Sequence, residues 1–203
     1  MANRPWARSG RGRGLTETLV VLALLAWFTA LGMPIARESL VRWRLRAAGR
    51  EMAMLFRRAR TEAALFGRSI GVIFSRAEGY RYALYRDGNG NGIRTLEVRR
   101  GIDVRIAGPF SLPERFPGVQ IRIAPPPPIP EVPPETGWLG NLEDPVKFAN
   151  TDIASFSPDG SCTGGTLYLS MGRERMAAVR VLGATGRMRL WEYDARGRRW
   201  EPR

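Results

Sequence analysis

Three hydrophobic patterns follow one another along the chain. From Thr18 to Ala36 the sequence reads T-L-V-V-L-A-L-L-A-W-F-T-A-L-G-M-P-I-A, an uncharged run with no polar face. At 1.5 Å per residue about 19 residues extend roughly 28 Å, which predicts a helix able to cross a bilayer. Arg4, Arg8, Arg11 and Arg13 precede the run with no acid among them. That basic flank predicts a cytoplasmic N-terminus, with everything after Ala36 beyond the membrane. From Arg37 to about Phe66 the pattern becomes amphipathic. Ala48, Met52, Leu55, Ala59, Ala63 and Phe66 recur at spacings of three and four, and Arg42, Arg46, Arg50, Arg57 and Arg60 lie largely off that stripe. Glu38 and Arg42 form a favourable four-residue pair, Pro34 predicts a kink, and Gly67 suits a helix C-cap.

After Gly67 the period changes to two. Strands are predicted from Ser69, Tyr80, Asp103, Val119, Asp152 and Thr166, and a closing pair from Ala177 and Gly186 brackets Gly183-Ala184-Thr185. One helix followed by many short strands predicts an α+β fold, with the helix laid on antiparallel β-sheets and its first half membrane-spanning. Seven of the ten residues 125–134 are proline, which predicts an extended, stiff surface insertion rather than a regular element. The domain reading is a leader at 1–12, a transmembrane helix at 13–36, its amphipathic continuation at 37–66 and a β-rich globular domain at 67–203.

Composition narrows the chemistry. The 203 residues include no histidine, which excludes Ser-His-Asp and Cys-His nucleophile systems and most common zinc sites. The lone Cys162, in Ser-Cys-Thr-Gly-Gly, reads as a small loop residue. Thirty-two Lys and Arg against 19 Asp and Glu give +13, a surplus that suits an anionic partner. No cofactor is implied, and no metal beyond one weak calcium candidate. Asp87, Asn89 and Asn91, in D-G-N-G-N-G, match the start of an EF-hand loop. Position twelve is Val98 rather than glutamate, Glu97 falls one place short, and a Gly/Asn-rich turn accounts for the same residues.

Glu17 breaks the apolar pattern, since a carboxylate at such an edge costs energy unless paired. The run E-T-L-V-V-L-A from Glu17 resembles the E-L-L-V-V-L-A of type IV pilins and type II secretion pseudopilins. In that family a prepilin peptidase cuts after a glycine, the glutamate is the fifth mature residue, and a proline lies seventeen residues beyond it, as Pro34 does here. The resemblance implies cleavage between Gly12 and Arg13, or alternatively between Gly14 and Leu15, with N-methylation of the new terminus. Arg13 departs from the Phe or Met usual at that place. Cleavage after Gly12 removes three arginines and lowers the net charge from +13 to +10. The family further implies that Glu17 pairs with the α-amino group of an adjacent subunit and so sets the filament register.

Across most of the chain the order of motifs is similar to the GspH/FimT branch. R-L-R-A-A-G-R-E-M-A, A-R-T-E-A-A-L-F-G-R, F-S-P-D-G, G-G-T-L-Y-L-S and A-T-G-R-M-R-L-W carry this resemblance. It implies a pilin-like fold and a minor subunit that binds and organises rather than catalyses. Its implied partners are other pseudopilins or pilins, the prepilin peptidase and the inner membrane. The implied place is the bacterial inner membrane, single-pass, with a periplasmic globular domain that joins a filament after assembly. Two functions follow from the branch: an H-type pseudopilin in a type II secretion pseudopilus, or a FimT-like minor pilin capturing DNA. The second draws on Arg187 and Arg189 in G-R-M-R, which alternate on a predicted strand, with Arg196, Arg198, Arg199 and Trp200 as an extension of the same patch. An unrelated exported domain on an uncleaved signal anchor is the remaining alternative.

Overall fold

The structure, a computed structural model, describes residues 13–76, 79–149 and 151–203; the side chains of 13, 31, 32 and 34–37 lie outside that description. The elements run α1 (Arg13–Phe66), β1 (Ile70–Ser75), β2 (Arg81–Arg86), α2 (Thr95–Arg100), β3 (Val104–Ser111), α3 (Leu112–Arg115) and β4 (Val119–Gln120). They continue with β5 (Val146–Phe148), β6 (Ile153–Phe156), β7 (Gly165–Met171), β8 (Arg175–Leu182), β9 (Arg187–Asp194) and β10 (Arg199–Pro202). The chain separates into two compact units, Met1–Val41 and Arg42–Arg203. The fold class is α+β with two antiparallel sheets, one ordered β3-β2-β1-β6 and the other β10-β9-β8-β7-β4, with β5 also on β7.

The expected helix with a membrane-spanning first half is corrected. Among the described residues no helix is long and apolar enough to cross a membrane. The transmembrane assignment and the single-pass inner-membrane placement fall with the same finding.

Within the second unit, α1 buries Leu45, Ala48, Met52, Ala53, Phe56, Ala59 and Ala63 in one core with residues of both sheets. The buried stripe passes through Phe56 rather than Leu55, and Phe66 is exposed. A turn of 3.6 residues carries the stripe from Met52 to Phe56 and then to Ala59 and Ala63; Phe66 continues the same face but, as the last residue of α1, is exposed. Phe56 meets Phe148, Phe156 and Phe74 with ring centroids 5.8, 6.0 and 6.4 Å apart. Gly67 ends α1 at φ +62°, a left-handed cap that glycine adopts at little cost.

The second sheet is apolar on both faces. Leu167, Leu169, Val179, Val181 and Leu190 face the first core, while Tyr168, Met176, Ala178, Trp191 and Tyr193 belong to a second. That second core is closed by the proline-rich segment, through fully buried Ile129 and Val132 and through Leu139. The segment is folded on itself, with Leu139 N–H donating to Ile129 O at 2.7 Å and Glu131 N–H to Gly137 O at 3.0 Å. The expected surface insertion is therefore the lid of a core. Trp200, expected in a basic tail patch, is buried there too, and its indole N–H donates to Pro130 O at 2.8 Å.

Candidate functional site

Two features carry chemistry, one in each unit. In the first, α1 exposes Leu15, Leu19, Leu22, Leu25, Trp27 and Phe28, each more than half accessible. The threonines in this stretch turn their hydroxyls inward: Thr29 Oγ1 donates to Leu25 O at 2.6 Å and Thr18 Oγ1 to Gly14 O at 2.5 Å. Such back-bonding satisfies the polar groups within the helix and leaves an apolar outer surface. Glu17 is exposed and has no ion pair among the described residues. Of the other assembly and cleavage candidates, Gly12 lies outside the described residues, Gly14 and Leu15 are exposed in the first turns of α1, and the side chains of Arg13 and Pro34 are not described.

In the second unit a cleft of about 410 Å³ is lined by Arg57, Arg60, Thr61, Gly186, Arg187 and Met188. α1 supplies the first three, at helical spacing, and the end of the β8–β9 turn with the start of β9 supplies the others. The turn is closed by Gly186 N–H to Leu182 O at 2.7 Å and Thr185 N–H to Leu182 O at 3.2 Å. Arg60 Nη1 donates to Gly186 O at 3.2 Å, which holds the guanidinium against the turn. Gly186 has φ +62°, and a Cβ there would stand 2.6 Å from Arg60 Cζ. Glycine is thus favoured by the backbone conformation, and a Cβ would in addition oblige the flexible Arg60 guanidinium to shift. No carboxylate lines the cleft while three arginines do, which gives it a basic lining suited to an oxyanion. Cys162 lies near the same turn, with its thiol 3.7 Å from Leu182 O and Gly183 O. Burial pushes that thiol up against the lowering effect of Arg60, which marks it as a packing residue.

In comparison with known proteins, no family model, no curated protein and no solved structure matches this chain.

The remaining arginine candidates are dispersed. Arg189 lines a separate cavity of about 190 Å³ with Pro133, Pro134, Arg180, Leu182 and Trp191. Arg199 is engaged by Glu201 at 3.2 Å and Asp194 at 4.0 Å, and Arg198 occupies the β9–β10 turn at φ +48°. The β9 alternation places Arg187 and Arg189 on one side of the strand without bringing them into one cavity. Arg57 and Arg60, which the sequence pattern marks only as charges off the apolar stripe, are the partners of Arg187.

The Asp87 loop joins β2 to a short helix, α2. The Asp87 carboxylate accepts the backbone N–H groups of Asn89, Gly90 and Gly92 at 3.0, 2.7 and 2.7 Å. Burial alone would raise its pKa, but these hydrogen bonds outweigh it and hold the carboxyl below the usual range. The side-chain amides of Asn89 and Asn91 both donate to Glu97, at 3.3 and 2.8 Å. Among the described residues no group of three or more His, Cys, Asp or Glu is placed to hold a metal. The loop's polar groups serve to organise its own backbone.

Proposed function

We propose that this chain is a minor subunit of a pilin-like filament, of the GspH/FimT type, that assembles through the first part of α1. The observation carrying the proposal is the exposed apolar surface from Leu15 to Phe28. A helix apolar on all sides requires cover, and an exposed patch of that extent marks an interaction surface. The same segments of neighbouring subunits provide cover of matching chemistry. Glu17, exposed among these residues, then pairs with the α-amino group of the adjacent subunit, because an unpaired carboxylate inside such a bundle is strongly disfavoured. The secretion pseudopilus is the reading adopted, and the prepilin peptidase is the processing partner.

Co-expression with a prepilin peptidase tests it. The mature chain is expected to begin at Arg13, or at Leu15 for the alternative cut, and Glu17→Leu is expected to be missing from sheared filaments that contain the wild-type subunit. A mature protein still beginning at Met1, or normal incorporation of Glu17→Leu, refutes the proposal.

The acid-free cleft favours a second reading, capture of DNA by a pilus-tip subunit. Under that reading, Arg57→Ala and Arg187→Ala each weaken binding and flatten its dependence on salt, by roughly one unit of log–log slope for each phosphate no longer neutralised. An unchanged slope in both variants removes it.

A further inference from the structure

We propose that the free edge of β3 accepts an extended acidic segment of a partner protein as an added strand. β3 is the outermost strand of the first sheet and, at eight residues, is longer than β4, β6 or β10, which end the other edges. An edge of that length presents unpaired backbone donors and acceptors ready to template another chain. Residues 104–107 carry one charge, Arg105, and no proline. Val104 is 49% exposed and Ile106 38%, and Ile102 and Leu96 beside them are 38% and 64% exposed. The patch is apolar, and it alternates along the strand as a strand-binding surface must.

Charge identifies the occupant. Arg94, Arg99, Arg100 and Arg105 belong to the same segment as the patch, all are exposed, and none forms an ion pair among the described residues. The two acids of this segment are engaged elsewhere. Asp103 is buried and accepts the Gly88 and Arg94 N–H groups, and Glu97 accepts both asparagine amides. A second copy of the chain fits poorly, since pairing β3 with β3 sets one arginine-bearing edge against another and like charges across strands are destabilising. A strand alternating apolar and acidic residues meets both the apolar patch and the arginines. Its pairing ends before Pro109, which has no N–H to offer. The surface stands independently of the filament reading, because none of its residues belongs to the first part of α1.

The experiment uses the full chain and two capped peptides of about six residues, one alternating valine and glutamate, the other valine and lysine. Amide hydrogen exchange is followed at residues 104–107. The glutamate peptide is expected to slow exchange there at least about tenfold. Protection should weaken when salt is raised from about 0.1 M to about 1 M, which cuts the screening length from roughly 10 Å to roughly 3 Å. Ile106→Glu should abolish protection while leaving the far-UV spectrum and unfolding midpoint unchanged. Arg99→Glu with Arg100→Glu, which leaves the strand untouched, should remove the salt-sensitive part. The proposal is overturned by absence of protection, by equal protection from the lysine peptide, or by protection that survives both variants. It is also overturned if β3 is protected by self-association alone, which would make a second copy the occupant.

Discussion

Replacing Phe56 by alanine tests whether α1 is held to the sheets through one aromatic cluster. The side chain is fully buried and meets three other phenylalanine rings, two of them edge-on. Truncating a core phenylalanine costs about 3–5 kcal/mol, the transfer loss and the cavity together. Aromatic pairs contribute about 0.5–1.5 kcal/mol beyond the area they bury, which places Phe56→Ala toward the upper part of that range. For a unit of this size about 2–4 °C of midpoint accompanies each kcal/mol, so a fall of roughly 8–20 °C is expected. Urea unfolding followed by circular dichroism and by tryptophan fluorescence should show a lowered midpoint with an unchanged slope. Phe66→Ala, at an exposed position of the same helix, should shift stability by no more than about 0.5 kcal/mol. A loss below about 1 kcal/mol for Phe56→Ala, or equal losses for the two, refutes the assignment of the buried stripe.

Two further predictions concern the second unit. Burial alone would raise the Glu192 pKa, but hydrogen bonds from Arg46 and Arg203 and their charges outweigh it and hold the carboxyl below its usual range. A depressed folded-state pKa gives stability that is present above the unfolded-state value and lost as pH falls through the folded one. The stability gap between wild type and Glu192→Gln should therefore shrink on acidification below the ordinary carboxylate range, and a gap constant from neutral to acid pH contradicts this. Gly186→Ala should cost about 1–2 kcal/mol for the left-handed backbone alone. Combining it with Arg60→Ala should recover part of the loss in a double-mutant cycle, because the new methyl then meets no guanidinium; strict additivity refutes the close approach.

Much of the strand pattern was legible because period-two alternation is a local property. The runs beginning near Ser69, Tyr80, Asp152, Thr166, Ala177 and Gly186 all contain strands, and Gly67 caps α1 as its position suggested. What escaped reading was set by tertiary contact. β5 is three residues long and exists as a strand through its pairing with β7. β10 hides Trp200 among arginines, and only the second core explains an indole there. The run from Val119 pairs for two residues because Ile121 and Ile123 go to different cores as the chain leaves the sheet. The basic cleft was half legible. Arg187 stood out in its Gly-Arg turn, but the hydrogen bond that joins this turn to Arg60 links positions 126 residues apart. The membrane-spanning helix expected from the apolar run does not hold: among the described residues no helix is long and apolar enough to cross a membrane.

The proline-rich segment has a consequence for anyone redesigning this protein. It has the composition of a dispensable loop but shields Tyr168, Trp191, Tyr193 and Trp200 from water through Ile129, Val132 and Leu139. Excising it would convert the outside of a sheet into an adhesive aromatic surface, with loss of solubility before any loss of secondary structure. Grafts and tags belong instead at exposed Thr136, between Glu135, which pairs with Arg180, and Gly137, whose carbonyl accepts the Glu131 N–H.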